Sequence, residues 1–222
     1  MPLLEPASSP RASVRAKALV RHGWNRVSRV YRSDESVTDV FGHAHLDYQE
    51  WLEPVIRSIP RGSEVLDLGC GCGVPAARAL ANRFRVTGVD ISDVQIRRAR
   101  KIVPTAKFVR ADMTEIDFRD ESFGAVVCLY AIIHVPLEEQ RPLLERVFRW
   151  LGPGGLFLLI AGEEAWSGEE ENWLGSNAKM YWSHASAGTY LRWLMAAGFA
   201  IERRTFIPEG ASGHALILAH KP

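Results

Sequence analysis

A glycine-rich turn between a short apolar strand and a helix is the feature that most constrains how this chain can fold. Residues 63–69 read SEVLDLG and predict a strand, which runs into a turn that contains Gly69, Gly71 and Gly73. A helix over about 75–82 and a second strand over 85–90 follow. A strand, a turn, a helix and a second strand make a βαβ unit, whose two strands run parallel. The chain is therefore expected to build a parallel sheet.

The same alternation of helices and apolar strands continues along most of the chain. It predicts helices over 92–102, 138–150 and 186–197, and strands over 106–112, 124–130, 155–161, 200–208 and 214–220. Uninterrupted apolar runs such as AVVCL and LFLLI indicate strands that helices cover on both faces. The last two strands are joined by a short turn and should pair antiparallel. We predict an α/β fold with a Rossmann-like, seven-stranded, mostly parallel sheet and an antiparallel C-terminal hairpin at its edge.

The first 60 residues precede this sheet and are predicted to form a mobile arm, of about ten residues, followed by two helices. Four apolar residues share one face of a helix over 14–31, namely Val20, Trp24, Val27 and Tyr31. A loop is expected over 33–45, and a second helix over 47–59. Residues 1–60 would thus be an arm and a helical lid over a domain of residues 61–222, the whole forming one compact unit.

Composition narrows the class of protein. The chain has 222 residues, of which 47% are hydrophobic and 24% are charged, as in an average globular domain. Its 27 basic and 26 acidic residues leave a net charge of +1, which disfavours nucleic acid as a partner. No stretch reaches the roughly 18 apolar residues of a membrane span, and the three cysteines fit a reducing compartment and lack partners for a metal site. We expect a soluble cytoplasmic protein, monomeric or homodimeric, that holds no metal.

Acidic residues stand at the ends of three successive predicted strands. Asp67 precedes the glycine turn, Asp90 ends the second strand, and Asp112 ends the third. The carboxyl ends of parallel strands meet at one edge of the sheet, where such folds bind their ligands. Three carboxylates at that edge favour a ligand that is cationic or rich in hydroxyl groups.

The segments VLDLGCGCG, VTGVDIS and FVRADM, with a later GPGG before another strand, resemble class I S-adenosylmethionine-dependent methyltransferases of the small-molecule type. The resemblance is close over about residues 62–162. It implies S-adenosylmethionine as the cofactor and S-adenosylhomocysteine as the product. The cofactor-binding residues that it implies are Asp67, Gly69, Gly71, Gly73, Asp90, Ile91, Asp112, Met113 and Tyr31.

The resemblance also implies a role for each part of this set. Asp67 would face the ammonium group of the cofactor, while the glycines would border its methionine and ribose portions. Asp90 would accept hydrogen bonds from the ribose hydroxyls, and Ile91 would pack on the adenine. Asp112 would accept from the adenine amino group, with Met113 beside the ring. The N-terminal helix would act as a lid whose aromatic side chains face the cofactor.

The acceptor side of the site is less constrained by the sequence. Methyl transfer requires a base only when the acceptor must lose a proton as it attacks. The candidate bases are His134 after the fourth strand, His184 after the fifth and His214 at the start of the last. Residues 162–185 are predicted to be an irregular insertion that walls the acceptor pocket. With Trp24 of the lid helix, its wall residues would be Trp166, Trp173, Tyr181 and Trp182.

The favoured function is methyl transfer to O, N or S of a small-molecule acceptor, such as a specialised metabolite. Three alternatives stay open. The chain could be a non-catalytic protein that binds the cofactor and serves as an assembly partner. It could methylate RNA or protein with its basic N-terminal helix as a handle. It could also be a nicotinamide-dependent oxidoreductase that uses the register Gly71-x-Gly73-x-x-Ala76, although the charge of Asp67 opposes a pyrophosphate.

Overall fold

A computed structural model of the chain describes residues 10–34, 45–210 and 212–222. The predicted arm over residues 1–9 and most of the predicted loop over 33–45 lie outside the described residues. The helices are α1 (Pro10–Tyr31), α2 (His45–Ser58), α3 (Ala76–Leu80), α4 (Asp93–Ile102), α5 (Leu137–Trp150) and α6 (Ala187–Ala197). The strands are β1 (Glu64–Leu68), β2 (Arg85–Asp90), β3 (Lys107–Arg110), β4 (Phe123–Cys128), β5 (Leu151–Gly162), β6 (Trp166–Trp173), β7 (Ala178–His184), β8 (Ala200–Glu209) and β9 (Ser212–His220). A single 3₁₀ turn, Ile132–His134, follows β4.

Seven strands form one sheet in the order β3-β2-β1-β4-β5-β9-β8. β1 to β5 pair in parallel, whereas β9 runs antiparallel to both β5 and β8. This arrangement confirms the predicted fold class, with β8 outermost and the reversed strand one position inside the edge. The chain leaves β3 and returns on the other side of β1, which creates a switch point between the carboxyl ends of β1 and β4. Sheets of this kind bind ligands at such a switch point.

Apolar side chains cover both faces of the sheet. The layer on one face includes Leu143, Leu144 and Trp150 of α5 and Tyr190 of α6. The layer on the other face includes Leu52 and Val55 of α2, Leu80 of α3 and Ile96 of α4. β1 lies between the layers and is buried from Val65 to Leu68. The acid in the middle of that strand is therefore held in the protein interior.

Helix α1 is anchored to α4 by polar side chains. Asn25 Oδ1 accepts hydrogen bonds from Ser92 Oγ at 2.7 Å and from the Val94 backbone N–H at 3.1 Å. Arg98 of α4 is 5% exposed and donates to the Ser28 backbone carbonyl at 2.5 Å. An apolar cluster joins the same helix to the segment after β5, through Val20, Val27, Trp173, Ala178 and Met180. The predicted lid is thus packed as a part of the domain.

The segment after β5 is a two-stranded hairpin, which corrects the prediction of an irregular stretch over 162–185. β6 pairs antiparallel with β7, with Trp166 opposite His184. Nearly all of β6 is exposed, so its acidic sequence lacks the alternation of apolar and polar residues that indicates a strand. The connecting turn contains Gly175 at a φ of 64°, a conformation that suits glycine.

Candidate active site

A cleft opens at the carboxyl edge of the sheet, at the switch point between β1 and β4. It encloses about 1310 Å³, counting its open mouth. What we call the carboxylate side is lined by Asp67, Gly69, Gly71, Asp90, Ile91, Asp112 and Met113. What we call the aromatic side is lined by Trp24, Tyr31, Tyr48, Tyr130, His134, Trp173, Trp182 and His214. The cleft therefore brings together most of the residues that the sequence singled out.

The glycine turn borders the carboxylate side where a side chain would not fit. Gly69 has a φ of 76°, and a Cβ atom there would lie 2.1 Å from the Cβ atom of Ala131. The backbone N–H of Gly71 points to Asp90 and donates to its Oδ2 at 2.9 Å. Gly73 does not line the cleft, because it packs against side chains of α4 and β3. Two of the three predicted glycines thus border the cleft, and the third shapes the turn behind them.

Asp67 is a buried carboxylate with one oxygen that lacks a donor. Its side chain is 2% exposed, and Oδ2 has no hydrogen-bond partner among the residues that the structure describes. Burial, and then the negative charge of Asp90, raises the pKa of Asp67 to about 7. An unsatisfied buried carboxylate is costly, so a ligand that brings a donor to this oxygen gains from it. A cationic donor gains most, because it also favours the ionised form.

Asp90 is held in place by two backbone donors. Gly71 donates to one carboxylate oxygen, and the Ser92 backbone N–H donates to the other at 2.8 Å. Burial raises the pKa of Asp90 to about 6, and these two hydrogen bonds limit the rise. Each carboxylate oxygen can accept a second hydrogen bond. The arrangement suits a ligand with two neighbouring hydroxyl groups, and Ile91 continues the same wall of the cleft.

Asp112 is shared with a cation from α1. Thr114 donates to Asp112 Oδ1 from its backbone N–H and its hydroxyl, both at 2.8 Å, and Lys17 Nζ lies 2.9 Å from Oδ2. Lys17 also lies 2.5 Å from Glu139. Burial lowers the pKa of Lys17, but hydrogen bonds to Glu139 and Asp112 outweigh it and leave that pKa raised. A ligand that reaches Asp112 must therefore share this carboxylate with Lys17. Met113, the next residue, also lines the cleft.

Aromatic rings from α1, the hairpin and the 3₁₀ turn meet on the aromatic side. The ring centroid of Trp24 lies 5.0 Å from those of both Tyr31 and Trp173, with the rings edge-on. The His134 ring lies 5.5 Å from Trp24 and 4.2 Å from Trp182. The cluster presents apolar surface to the cleft and joins elements that are distant in sequence.

The three candidate bases lie in different surroundings. His134 lines the cleft, but its Nδ1 lies 2.9 Å from the Tyr181 carbonyl oxygen, and burial lowers its pKa to about 4. His184 lies outside the cleft, and burial lowers its pKa as well. His214 lines the cleft, and its Nδ1 lies 3.2 Å from Glu209 Oε2. Only His214 of these three has both access to the cleft and a carboxylate partner.

Two aromatic residues predicted for the acceptor wall lie elsewhere. Trp166 is 50% exposed on β6, and neither it nor Tyr181 lines the cleft. Successive residues of a strand point to opposite faces, so Tyr181 faces away where Trp182 faces the cleft. The part of Tyr181 that reaches this region is its backbone carbonyl, which binds His134.

Sequence reasoning missed several residues of the site. Those that line the cleft without having been predicted include Lys17, Arg32, Tyr48, Tyr130 and Glu209. Tyr130, two residues after the end of β4, has a φ of 57°, an uncommon conformation outside glycine that no sequence pattern marks. Gln140 is fully buried behind the wall and donates to the carbonyls of Val135 at 2.7 Å and Ser183 at 2.6 Å. Gln140 thereby ties the 3₁₀ turn to β7.

Comparison with known proteins shows similarity to methyltransferases. A family model described as a methyltransferase domain matches residues 65–155. The sterol 24-C-methyltransferase of Yarrowia lipolytica is 33% identical over 149 residues, which cover 61% of this chain and 36% of that protein. The 2-methyl-6-phytyl-1,4-hydroquinone methyltransferase of Synechocystis is 36% identical over 109 residues, 47% of this chain and 33% of that protein. The chain spans about a third of the length of these two relatives.

A solved structure extends the comparison to the fold. Magnesium protoporphyrin IX methyltransferase of Synechocystis, with bound S-adenosylhomocysteine, has a TM-score of 0.69 at 17% identity and covers 93% of this chain and 100% of its own. At that identity the likeness shows the fold alone. The strand order and the cleft at the switch point are those expected of the class I methyltransferase fold. Together with the family match, they confirm the resemblance of residues 65–155 to a methyltransferase domain and of the fold to class I S-adenosylmethionine-dependent methyltransferases.

Two absences hold for the residues that the structure describes. None of their helices combines the length and the apolar character that a membrane crossing needs. No group of three or more His, Cys, Asp or Glu side chains among them is placed to hold a metal ion.

Proposed function

We propose that this chain transfers a methyl group from S-adenosylmethionine to O, N or S of a small-molecule acceptor. The observation that carries the proposal is the buried Asp67 oxygen without a donor, beside the glycine turn. The ammonium group of the methionine portion is the kind of donor that this oxygen needs. A pyrophosphate at the same place would meet a negative charge, which disfavours the nicotinamide alternative.

The carboxylate side fits the rest of this cofactor. Asp90 would accept from the two ribose hydroxyls, because each of its oxygens can take a further hydrogen bond. Ile91 and Met113 would flank the adenine, and Asp112 would accept from its amino group while it keeps Lys17. The turn at Gly69 leaves room for the backbone to approach the ligand. Bound there, the cofactor supplies an electrophilic methyl group on a sulfonium centre.

The aromatic side supports a small acceptor with an apolar body. Methyl transfer is an in-line displacement, which depends on alignment in a site that excludes water. Trp24, Trp173 and Trp182 supply such a wall. Two relatives are named for a sterol and for a phytyl hydroquinone, and these names favour a small molecule over RNA or protein here.

Ligand titration followed by turnover tests the proposal. Titration calorimetry should show binding of S-adenosylhomocysteine and none of NAD. Incubation with S-adenosylmethionine and a panel of phenols, carboxylates, amines and thiols should then yield S-adenosylhomocysteine with at least one acceptor. Binding of NAD without S-adenosylhomocysteine would contradict the proposal. Cofactor binding without turnover on the whole panel would favour the non-catalytic alternative.

A further inference from the structure

A carboxylate and an imidazole lie together at the tip of the β8–β9 hairpin, on the aromatic side of the cleft. His214 Nδ1 lies 3.2 Å from Glu209 Oε2, and the two side chains are 17% and 22% exposed. Both residues line the cleft. The ring of Tyr130 meets the His214 ring edge-on, with centroids 4.9 Å apart. The pair is thus largely screened from bulk solvent and still open to a ligand.

The register of the sheet places this pair at the edge where a cofactor-bound methyl group would be presented. His214 pairs with Gly162, the last residue of β5, and with Ile207 of β8. Because β5 ends at the carboxyl edge of the sheet, β9 begins at that same edge. Glu209 lies two residues beyond Ile207, so its side chain points to the same face of the hairpin as that of His214.

The other two histidines lack this combination of features. Nδ1 of His134 is occupied by the Tyr181 carbonyl, and its lowered pKa disfavours a protonated ring. His184 is outside the cleft. A carboxylate beside an imidazole, in contrast, orients the ring and stabilises the imidazolium that forms when the ring accepts a proton.

We infer that His214 is the general base for methyl transfer to a hydroxyl group, that Glu209 is its positioning residue, and that the acceptor is a phenol or an alcohol on an apolar ring system. This inference rests on the proposed function. The hydroxyl proton moves to Nε2 of His214 as an oxygen lone pair forms the new C–O bond. The C–S bond breaks, and its electron pair stays on sulfur. The positive charge that leaves the sulfonium thus reappears on His214, beside the Glu209 carboxylate.

The titratable groups that face His214 come from four elements. They are Glu209 of β8, Tyr130 after β4, His134 of the 3₁₀ turn and His184 of β7. Burial lowers the pKa of both neighbouring histidines, so they are neutral near pH 7 and do not compete for the proton. Glu209 is the carboxylate in direct contact.

A matched pair of acceptors separates base catalysis from other roles of His214. The probes 2-naphthol and 2-naphthalenethiol share one ring system, but the thiol ionises far more readily and needs no base. His214→Gln should lower kcat for 2-naphthol by about 10²–10⁴-fold, with partial recovery as the pH rises. The rate with 2-naphthalenethiol should stay within about 3-fold of the wild-type rate.

His220→Gln is the matched control variant. His220 Nδ1 lies 2.9 Å from Glu202 on the same two strands, so it forms the same kind of pair, but it lies outside the cleft. Both acceptors should be methylated at wild-type rates by this variant. A loss equal to that of His214→Gln would show that either pair merely supports the hairpin, and it would overturn the inference.

The role of Glu209 is tested by a spectroscopic readout that does not depend on turnover. Nitrogen-15 NMR of histidine-labelled protein should show His214 protonated at Nδ1 in the neutral ring, with Nε2 free. Glu209→Gln should lose this tautomer preference and at least 10-fold of kcat with 2-naphthol, by the order of effect expected for general-base catalysis. Glu209→Asp should retain part of both, and Glu202→Gln should change neither.

Three results would overturn the inference while leaving the proposed function intact. One is an equal loss for the naphthol and the thiol in His214→Gln. Another is a wild-type protein that methylates the thiol but not the naphthol between pH 6 and 9. The third is a neutral His214 ring protonated at Nε2 in the wild-type protein. Failure of the proposed function would differ from all three, because S-adenosylhomocysteine would not bind and neither acceptor would be methylated.

Discussion

The two sides of the cleft are built in different ways. The carboxylate side comes from one stretch of chain, residues 67–113, whose acids meet because β1, β2 and β3 are neighbours in the sheet. The aromatic side is assembled from α1, α2, the 3₁₀ turn and two hairpins, which lie far apart in sequence. The carboxylate side consists of strand ends and backbone, whereas the aromatic side consists of rings on helices, hairpins and a turn around the parallel strands.

This difference assigns cofactor binding and acceptor selection to different parts of the protein. A site made of backbone and strand ends changes little when peripheral elements vary, so it suits a cofactor that must be bound in one way. A wall made of hairpins and an N-terminal helix can change its acceptor without disturbing the sheet. We therefore expect substitutions on the carboxylate side to alter cofactor affinity, and substitutions on the aromatic side to alter acceptor use alone.

The largest effect on cofactor affinity is expected from Asp90→Ala on the carboxylate side. In the proposed function Asp90 accepts from the two ribose hydroxyls, so its removal should lower the affinity for S-adenosylhomocysteine about 10–100-fold in titration calorimetry. Asp93→Ala is the control, because Asp93 lies three residues further on and its side chain is 45% exposed. An unchanged affinity in Asp90→Ala would place the ribose at a different strand end.

A pH-dependent effect is expected at Asp67. Its pKa of about 7 leaves it partly protonated in the cofactor-free protein near neutrality, and an ammonium ligand favours the ionised form. Affinity for S-adenosylhomocysteine should therefore rise about 3–10-fold from pH 6 to pH 8, with protons released on binding. Asp67→Asn should remove this part of the pH dependence, measured by calorimetry in buffers of different ionisation enthalpy. An affinity for S-adenosylhomocysteine that depends on pH as strongly in Asp67→Asn as in the wild-type protein would contradict this account.

Asp67 also makes the stability of the fold depend on pH, but stability falls as the pH rises, whereas cofactor affinity increases. Folding raises the pKa of Asp67, so its contribution to stability is present below the unfolded-state value and is lost as the pH rises toward about 7. The melting temperature of the cofactor-free protein should fall over that interval. Asp67→Asn should flatten the fall by roughly 3 °C or more, the shift that about 1 kcal/mol produces in a protein of this size. A slope as steep as that of the wild-type protein would argue against a carboxylate that is buried and unpaired.

On the aromatic side, Trp182→Leu is expected to act on the acceptor alone. The ring centroid of Trp182 lies 4.2 Å from that of His134, and Trp182 lines the cleft. Removal of this aromatic contact should raise KM for a ring-bearing acceptor about 5-fold, with the affinity for S-adenosylhomocysteine unchanged. Weaker cofactor binding in this variant would contradict the expectation that the aromatic side affects acceptor use alone.

The smallest effect is expected from Trp166→Ala. The side chain is half exposed and stands outside the cleft, so KM and kcat should stay within about 2-fold of the wild-type values. A clear rise in KM would mean that β6 closes over the acceptor during turnover.

The carboxylate side was largely predictable from sequence because its parts follow local rules. Glycines after an apolar strand predict the turn, and strand periodicity places Asp67, Asp90 and Asp112 at one edge before any tertiary contact is known. The partners of these acids were not predictable. That Lys17 reaches Asp112 depends on how α1 packs, and nothing in the spacing of residues 10–31 encodes it.

Prediction of the aromatic side was incomplete for a related reason. Trp182 was predicted, but Tyr181 was grouped with it, because only strand alternation in a hairpin distinguishes the faces of these two residues. Trp166 was also grouped with them, although it is half exposed near the open end of the hairpin, where it pairs with His184. The acidic run of β6 concealed that hairpin, although the turn sequence LGSN between β6 and β7 is a signal that could have indicated it. The meeting of Glu209 with His214 depends on the register of β8 and β9, which the sequence of the turn does not specify.

Under the proposed function, the anchoring of α1 to the start of α4 links docking of this helix thermodynamically to cofactor binding. Ser92 donates its backbone N–H to Asp90 at 2.8 Å and its hydroxyl to Asn25 at 2.7 Å, so one residue joins Asp90 to α1. Whatever free energy the cofactor gains from a docked α1, the helix gains in turn from a bound cofactor. Amide exchange along α1 should therefore slow when S-adenosylhomocysteine binds, which would let the N-terminal helix report occupancy of a site that it covers.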